Sequence, residues 1–429
     1  MESTRLRVGL LGCGHVGGAL AALLIDDHDR ISARTGLSLE LAAIAVRSPS
    51  RQRSVSVPDE LFTTDAHAVV EDPSIDVVVE VIGGIEPART LILDALKAGK
   101  PVVTANKELL ANCGTELWEA AATAGVDLLF EAAVAGGIPL IRPLRESLAG
   151  ERIHRVMGIV NGTTNFILSR MSDAGATYHD ALAEAQSLGY AERDPTADVE
   201  GFDAAAKAAI LANVAFGARV VAGDVYRQGI SDITVSDIAM ARRLGFVIKL
   251  LAIVEEDADG IAVRVHPAMV PETHPLASVR DSFNAVFVEG AAVGELMFLG
   301  RGAGGMPTAS AVLGDLLDAS HNRTAGGPGR TMTLRSIPQR PIDDVTSAYY
   351  LTMQVADRPG VLHAVAGTLG DHRVSVRSME QETSSDGGAR LMFITHPALE
   401  RDVQGCLHEL QRLDVVDRLG GLIRVVDAE

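Results

Sequence analysis

Between Ala191 and Phe216 the chain reads AERDPTADVEGFDAAAKAAILANVAF. Carboxylates crowd its first half at Glu192, Asp194, Asp198, Glu200 and Asp203, and a single lysine, Lys207, follows in an otherwise apolar run. From Ala204 to Phe216 only Lys207 and Asn213 are not apolar, the pattern of a helix buried on nearly every side. A lone ammonium in such a place must find an anion or lose its proton, and Asp203 stands four residues earlier on the same helical face. A structural ion pair is one reading of that spacing. Chemistry is the other: carboxylates suit the ammonium of an amino-acid substrate, and a lysine with a tuned pKa exchanges a proton with a substrate hydroxyl. Asp194-Pro195 and the capping-type residues from Thr196 to Glu200 mark an ordered loop rather than a solvated acidic one. Upstream, Asn161, Thr163 and Thr164 precede another helix, where they either orient a ligand or cap the helix.

A second constellation is Gly12-Cys13-Gly14-His15-Val16-Gly17, which matches G-x-G-x-x-G. The match alone is weak, since glycine turns are common. Its context strengthens it: the turn follows a strand and opens a helix, so its backbone can approach a pyrophosphate at the helix N-terminus. Where the second strand ends, an NAD-preferring protein usually offers a carboxylate to the ribose; here stand Arg47-Ser48, with Arg51 and Arg53 close behind. A guanidinium there pairs with a 2′-phosphate and points to NADP, with Arg47 best placed, against the alternative of a solvated basic loop. Lys107, in Ala105-Asn106-Lys107, falls at the carboxyl edge of the sheet, where it reaches a ligand or simply starts a helix facing water. EAAVAGGIP, from Glu131, is a small-residue loop whose carbonyls have the donor chemistry of a monovalent-cation site, which spacing alone does not establish.

The elements that must position these residues read as follows. RLRVGLL, LELAAIAV, IDVVVEVI, PVVTA and VDLLFEAA are strand candidates, with helical patterns between them at 87–99 and 114–125. Strands and helices alternate and the strands are almost wholly apolar, which predicts a doubly wound parallel sheet of Rossmann type over residues 1–134, completed by a helix at about 306–320. Residues 135–305 read as an α+β domain with a mixed sheet, 321–347 as a linker, and 348–429 as a ferredoxin-like unit of strand, helix, strand, strand, helix, strand.

With 429 residues the chain is long enough for two or three domains, and 47% apolar against 22% charged residues describes a folded protein. A net charge of -18 argues against nucleic acid or an anionic membrane as main partner. Cys13, Cys113 and Cys406 are odd in number, far apart and in no C-x-x-C spacing, so neither a disulfide framework nor a zinc site is indicated, and a reducing cytoplasm fits. The run after Arg5 and Arg7 imitates a signal peptide, but its spaced glycines and Asp26-Asp27 fit a nucleotide turn better. No run of 18 uninterrupted apolar residues offers a membrane span.

Taken together, GCGHVG, ANKELL, EAAVAGGIP, NGTTNFIL, LGYAERDPTADVEGFDAAAK, GRGAGGMPTASAV and a terminal unit with DRPGVL resemble homoserine dehydrogenases that carry a C-terminal ACT domain. The resemblance covers essentially the whole chain, and LGYAERDPTADVEGFDAAAK is its most specific part. It implies NADP(H)-linked interconversion of L-homoserine and L-aspartate 4-semialdehyde, with NAD(H) as a second cofactor, on the route to threonine, isoleucine and methionine. By resemblance Lys207 and Lys107 are the catalytic pair, Glu192, Asp198 and Asp203 join Lys207 in holding substrate, and Gly12, Gly14, His15, Val16, Gly17, Arg47, Lys107, Gly302 and Gly304 meet the cofactor. Glu131, Val134, Gly136 and Ile138 match a sodium or potassium site. The ACT unit implies threonine as effector, and the family implies a homodimer or homotetramer. The rival readings are an oxidoreductase of the same fold acting on another amino or hydroxy acid, and a non-catalytic amino-acid sensor.

Overall fold

The computed structural model describes residues 4–49, 55, 57–383 and 388–426. The chain forms two compact units, Met1–Val156 with Ala206–Val225 and Asn284–Ile337, and Met157–Ala205 with Tyr226–Phe283 and Pro338–Glu429.

In the first unit six parallel strands, β1 (Thr4–Leu11), β2 (Leu37–Ala45), β3 (Phe62–Thr63), β4 (Val77–Glu80), β5 (Val102–Thr104) and β6 (Leu128–Leu129), lie in the order β3-β2-β1-β4-β5-β6. Leu11, the last residue of β1, pairs with Ala45 on one side and Glu80 on the other. The strand order therefore reverses at β1, and a doubly wound sheet takes its ligands beside the carboxyl ends of such strands. All of β4 and most of β1 are buried, as strands covered on both faces must be. Leu20 and Leu24 of helix His15–Asp26 and Val312 and Leu316 of helix Gly305–Ala325 close over Leu6, Val8 and Leu10.

Several boundaries differ from the sequence expectation for local reasons: the helix read at 114–125 already begins at Lys107, where Asn106 caps it by accepting from the Leu109 N–H. VDLLFEAA shrinks to the two residues of β6, because Glu131 begins a 3-10 turn whose carboxylate is bonded ahead to three backbone N–H groups. Helix Gly305–Ala325 outlasts its expected end and enters the stretch read as linker, stopping where Gly326 takes a left-handed C-cap.

In the second unit the strands Phe246–Asp257 and Gly260–Pro271 make a long antiparallel hairpin. The C-terminal segment forms strand Thr346–Ala356, helix Val361–Asp371, strands Val376–Thr383 and Gly388–Thr395, helix Glu400–Leu410 and strand Val416–Val425, the order expected. Its core gathers Tyr349, Leu351, Met353, Val365, Leu391, Phe393, Cys406 and Leu410. The last strand pairs antiparallel with Thr346–Ala356 and, at Arg424 and Val425, parallel with Ala268 and Met269 of the hairpin. The class is α/β, with a Rossmann-like parallel sheet, a mixed sheet and a ferredoxin-like C-terminal module.

Candidate active site

Gly12 leaves β1 with φ 102°, and a Cβ there would stand 2.8 Å from the Val81 carbonyl oxygen. At Gly17 a Cβ would approach the Gly12 carbonyl oxygen to 2.2 Å, so the helix can lie on the strand only without a side chain. Gly14 differs: a Cβ on it meets nothing within 4 Å. Packing does not explain that glycine, whereas a ligand approaching the backbone does. Gly14 is the N-cap of helix His15–Asp26 and supplies no side-chain cap, and helix Gly305–Ala325 likewise starts at Gly304, with φ 128° and no side-chain cap. The two starts meet, since a Cβ at Gly305 would lie 3.0 Å from the His15 carbonyl oxygen. Two neighbouring helix N-termini without a side-chain cap are a fitting cradle for a pyrophosphate. His15 is exposed at this turn, Val16 packs partly against the core, and Arg47 is exposed just beyond β2. Arg51 and Arg53 lie outside the described residues.

Lys107 is the first residue of helix Lys107–Ala124 and is exposed. Its position is set by residues that the sequence reading passed over. Glu80, fully buried at the end of β4, accepts hydrogen bonds from the Thr104 hydroxyl at 2.6 Å and from the Ile82 and Gly83 N–H groups at 2.7 and 3.2 Å. Thr104 Oγ1 in turn accepts from the Asn106 N–H, and Asn106 caps the helix through the Leu109 N–H while its amide donates to the Gly84 carbonyl at 2.7 Å. The signal was available: Glu80 is the one charge inside VVVEVI.

The loop after β6 turns through Ala135 and Gly136, with φ 58° and 55°. A Cβ at Gly136 would meet the Gly302 carbonyl oxygen at 2.2 Å, and a Cβ at Gly302 would enter the amide of Asn284, so this loop and the Gly302–Gly304 loop touch through glycines. Glu131 is buried and its carboxylate accepts from the N–H groups of Leu140, Ile141 and Arg142 at 2.5, 2.7 and 2.8 Å, while its own N–H donates to Asp315 at 2.7 Å. Burial pushes the Asp315 carboxyl up to about 7, against the pull of its hydrogen bonds. The cation site expected from the sequence, Glu131 with the carbonyls of Val134, Gly136 and Ile138, falls in this loop, where the Glu131 carboxylate is held by three backbone N–H groups. Among the described residues no group of three or more His, Cys, Asp or Glu could hold a metal ion.

In the second unit Asn161 caps helix Gly162–Ala174, accepting from the Thr164 N–H at 2.9 Å. Its amide nitrogen donates to Asp198 at 2.7 Å and to Asp203 at 2.9 Å, so one side chain joins two of the predicted carboxylates. Thr163 donates to the Tyr190 carbonyl at 2.6 Å and Thr164 to Asn161, both buried, which makes them structural here rather than ligand-facing. Asp194 fastens the loop through Thr196, whose hydroxyl and N–H hold its carboxyl below the usual range. Glu192 is exposed, and its backbone carbonyl accepts from Gln186 at 3.0 Å. Helix Phe202–Phe216, which passes from the second unit into the first after Ala205, carries Asp203 in its first turn and Lys207 one turn later, 9% and 7% exposed.

Three family models match the chain: "Homoserine dehydrogenase, NAD binding domain" over residues 12–131, "Homoserine dehydrogenase" over 139–317 and "ACT domain" over 349–415. A homoserine dehydrogenase of Corynebacterium glutamicum is 52% identical over 425 residues, spanning 97% of this chain and 95% of that protein. The crystal structure of a homoserine dehydrogenase from Thiobacillus denitrificans matches with a TM-score of 0.93 at 42% identity, covering 99% of each chain. A hyperthermophilic archaeal homoserine dehydrogenase in complex with NADPH matches at 30% identity and a TM-score of 0.62, covering 74% of this chain and 98% of that one.

Proposed function

The chain belongs to the homoserine dehydrogenase family, and from that premise we propose that it interconverts L-homoserine and L-aspartate 4-semialdehyde with NADP(H), in the supply of threonine, isoleucine and methionine. The observation that carries the reading is the carboxylate pair gripped by Asn161 at the start of the helix that buries Lys207. Asp198 and Asp203, with Glu192, receive the ammonium of the amino-acid substrate. Lys207, with Lys107, takes the proton of the substrate hydroxyl in the oxidising direction and returns it in the other. The dinucleotide, when bound, supplies the hydride chemistry. The uncapped turn at Gly12, Gly14, His15, Val16 and Gly17, joined by Gly302 and Gly304, receives its pyrophosphate. Arg47 answers the 2′-phosphate of NADP, and the NADPH-bound archaeal relative supports that preference over NAD. Glu131 and the carbonyls of Val134, Gly136 and Ile138 hold sodium or potassium, a hard cation suited to oxygen donors.

The ACT module takes an amino-acid effector, threonine by the reaction's place ahead of threonine synthesis, and the chain assembles as a homodimer or homotetramer. The proposed location, the cytoplasm, follows from the reading as a biosynthetic enzyme; among the described residues no helix is long and apolar enough to cross a membrane.

Initial-rate reduction of NADP and of NAD with L-homoserine tests the proposal. Wild type is expected to turn over with NADP favoured, and Lys207→Ala to lose roughly 10²-fold or more in kcat while binding cofactor nearly as before. Turnover of the variant within a fewfold of wild type would assign the proton transfer elsewhere.

A further inference from the structure

A buried ion pair in the C-terminal module reaches the loop that carries the carboxylates. Arg424, on strand Val416–Val425, and Glu400, at the start of helix Glu400–Leu410, have side chains 4% and 3% exposed and stand 2.7 Å apart. Tyr349 donates its hydroxyl to one Glu400 oxygen and Gln404 donates to the other, each at 2.8 Å. The remaining donors of the guanidinium leave the module: Nη1 reaches Gln228 Oε1 at 3.2 Å and Nη2 the Tyr226 hydroxyl at 3.3 Å, with the guanidinium 5.1 Å from the centre of the Tyr226 ring.

Tyr226 and Arg227 pair with Arg264 and Val265, and the Gln228 N–H donates to the Val265 carbonyl at 2.8 Å. The next residues meet the acidic loop directly. Ile230 donates its N–H to the Val199 carbonyl at 2.8 Å, and Gly229 lies so close that a Cβ on it would stand 2.4 Å from that same oxygen. Arg227 covers the ring of Phe202 at 3.8 Å. Val199 is 5% exposed and follows Asp198, whose carboxylate Asn161 holds. All of these residues belong to the second unit.

A planar guanidinium presents its donors in a rigid fork, and a charge taken out of water stays where its partner is. Packing by itself does not require such a pair, because apolar side chains fill the same space at least as favourably. What the pair adds is a fixed position for the two acceptors it holds outside the module. We infer that Arg424 is a positioning residue for the substrate loop: through Tyr226 and Gln228 the C-terminal module sets the segment Gly229–Ile230, and with it Val199 and the carboxylate of Asp198. The inference rests on the proposed reading of Asp198 as a substrate ligand.

The test uses the full chain with Gln228→Leu and Tyr226→Phe, which remove one acceptor each, and Arg424→Met as the harsher variant. Gln228→Leu is expected to raise the KM for L-homoserine about tenfold, the scale of one lost hydrogen bond to a charged group, while the cofactor KM stays within about twofold. Amide hydrogen exchange across residues 198–202 is expected to quicken at an unchanged thermal midpoint. Unchanged homoserine KM and unchanged exchange there overturn the inference, as does a parallel rise in both Michaelis constants, which signals general loosening. A wild-type protein that does not oxidise L-homoserine with either dinucleotide overturns the reading of the reaction instead, and the exchange measurement then decides the coupling alone.

Discussion

Asn161 places every polar atom of its side chain on the protein: the oxygen caps a helix and the nitrogen binds Asp198 and Asp203 together. Removing it leaves two neighbouring carboxylates without their shared donor, so Asn161→Ala should raise the homoserine KM by about tenfold or more, checked by steady-state kinetics with cofactor saturating. Lys249 shows the same economy in a group the reaction does not use. It is 1% exposed, donates to Asn165 Oδ1 at 3.0 Å and to the Val279 carbonyl, and burial, with Arg280 adding to it, brings its pKa down to about 7. The unfolded lysine titrates near 10.4, so between about pH 7 and 10.4 the unfolded chain binds the extra proton and stability rises with pH. The contribution is full above the unfolded value and lost as pH falls toward about 7. The stability difference between wild type and Lys249→Met should therefore grow in favour of wild type across that window, by at most about 1.4 kcal/mol per pH unit, and level off below it. Denaturant unfolding at several pH values measures this, and a constant difference would remove the assigned cause. Lys207 and its carboxylates were legible as types and spacing; Asn161, the donor that joins Asp198 to Asp203, was legible as a residue that orients a ligand or caps a helix, without its partners.

At the scale of elements, the glycine turn makes two distinguishable demands. Gly17 is needed by packing, since a methyl group there collides with the Gly12 carbonyl, whereas Gly14 faces open space. Gly17→Ala should destabilise by about 1–3 kcal/mol, read as a fall in Tm. Gly14→Ala should leave Tm within about 2 °C of wild type yet weaken dinucleotide binding, measured by fluorescence or calorimetric titration. Equal effects of the two variants on Tm and affinity would contradict this division. The strand-turn-helix order was evident from the motif, because a buried strand followed by spaced glycines allows few alternatives. The end of β6 was not. VDLLFEAA has the composition of a strand, and only the tertiary bonds of Glu131 to Leu140, Ile141 and Arg142 draw its last residues into a turn.

At the scale of the molecule, the C-terminal module is bonded into the rest of the second unit. Its last strand pairs with Ala268 and Met269 of the hairpin, and Arg424 reaches Tyr226 and Gln228. Deleting residues 345–429 should thus lower Tm and weaken homoserine binding as well as remove any response to threonine, whereas Gln404→Ala, on the module's own helix, should fold. Thermal unfolding and threonine inhibition of both proteins decide it: a deletion variant as stable and active as the full chain would make the module energetically separate.

The sequence by itself determined the doubly wound sheet, the glycine turn, the order of the C-terminal module and the chemical cast of the acidic stretch. Periodicity, glycine spacing and charge in apolar runs are local properties that survive in a linear reading. Only the tertiary structure decided that one asparagine joins Asp198 to Asp203, that Glu80 orders the loops around Lys107, and that Arg424 bonds to Gln228 nearly two hundred residues earlier. These are pairings between distant residues whose types are individually ordinary. A hydrogen bond needs about 3 Å and a fixed direction, which the chain supplies only after its strands have found their register.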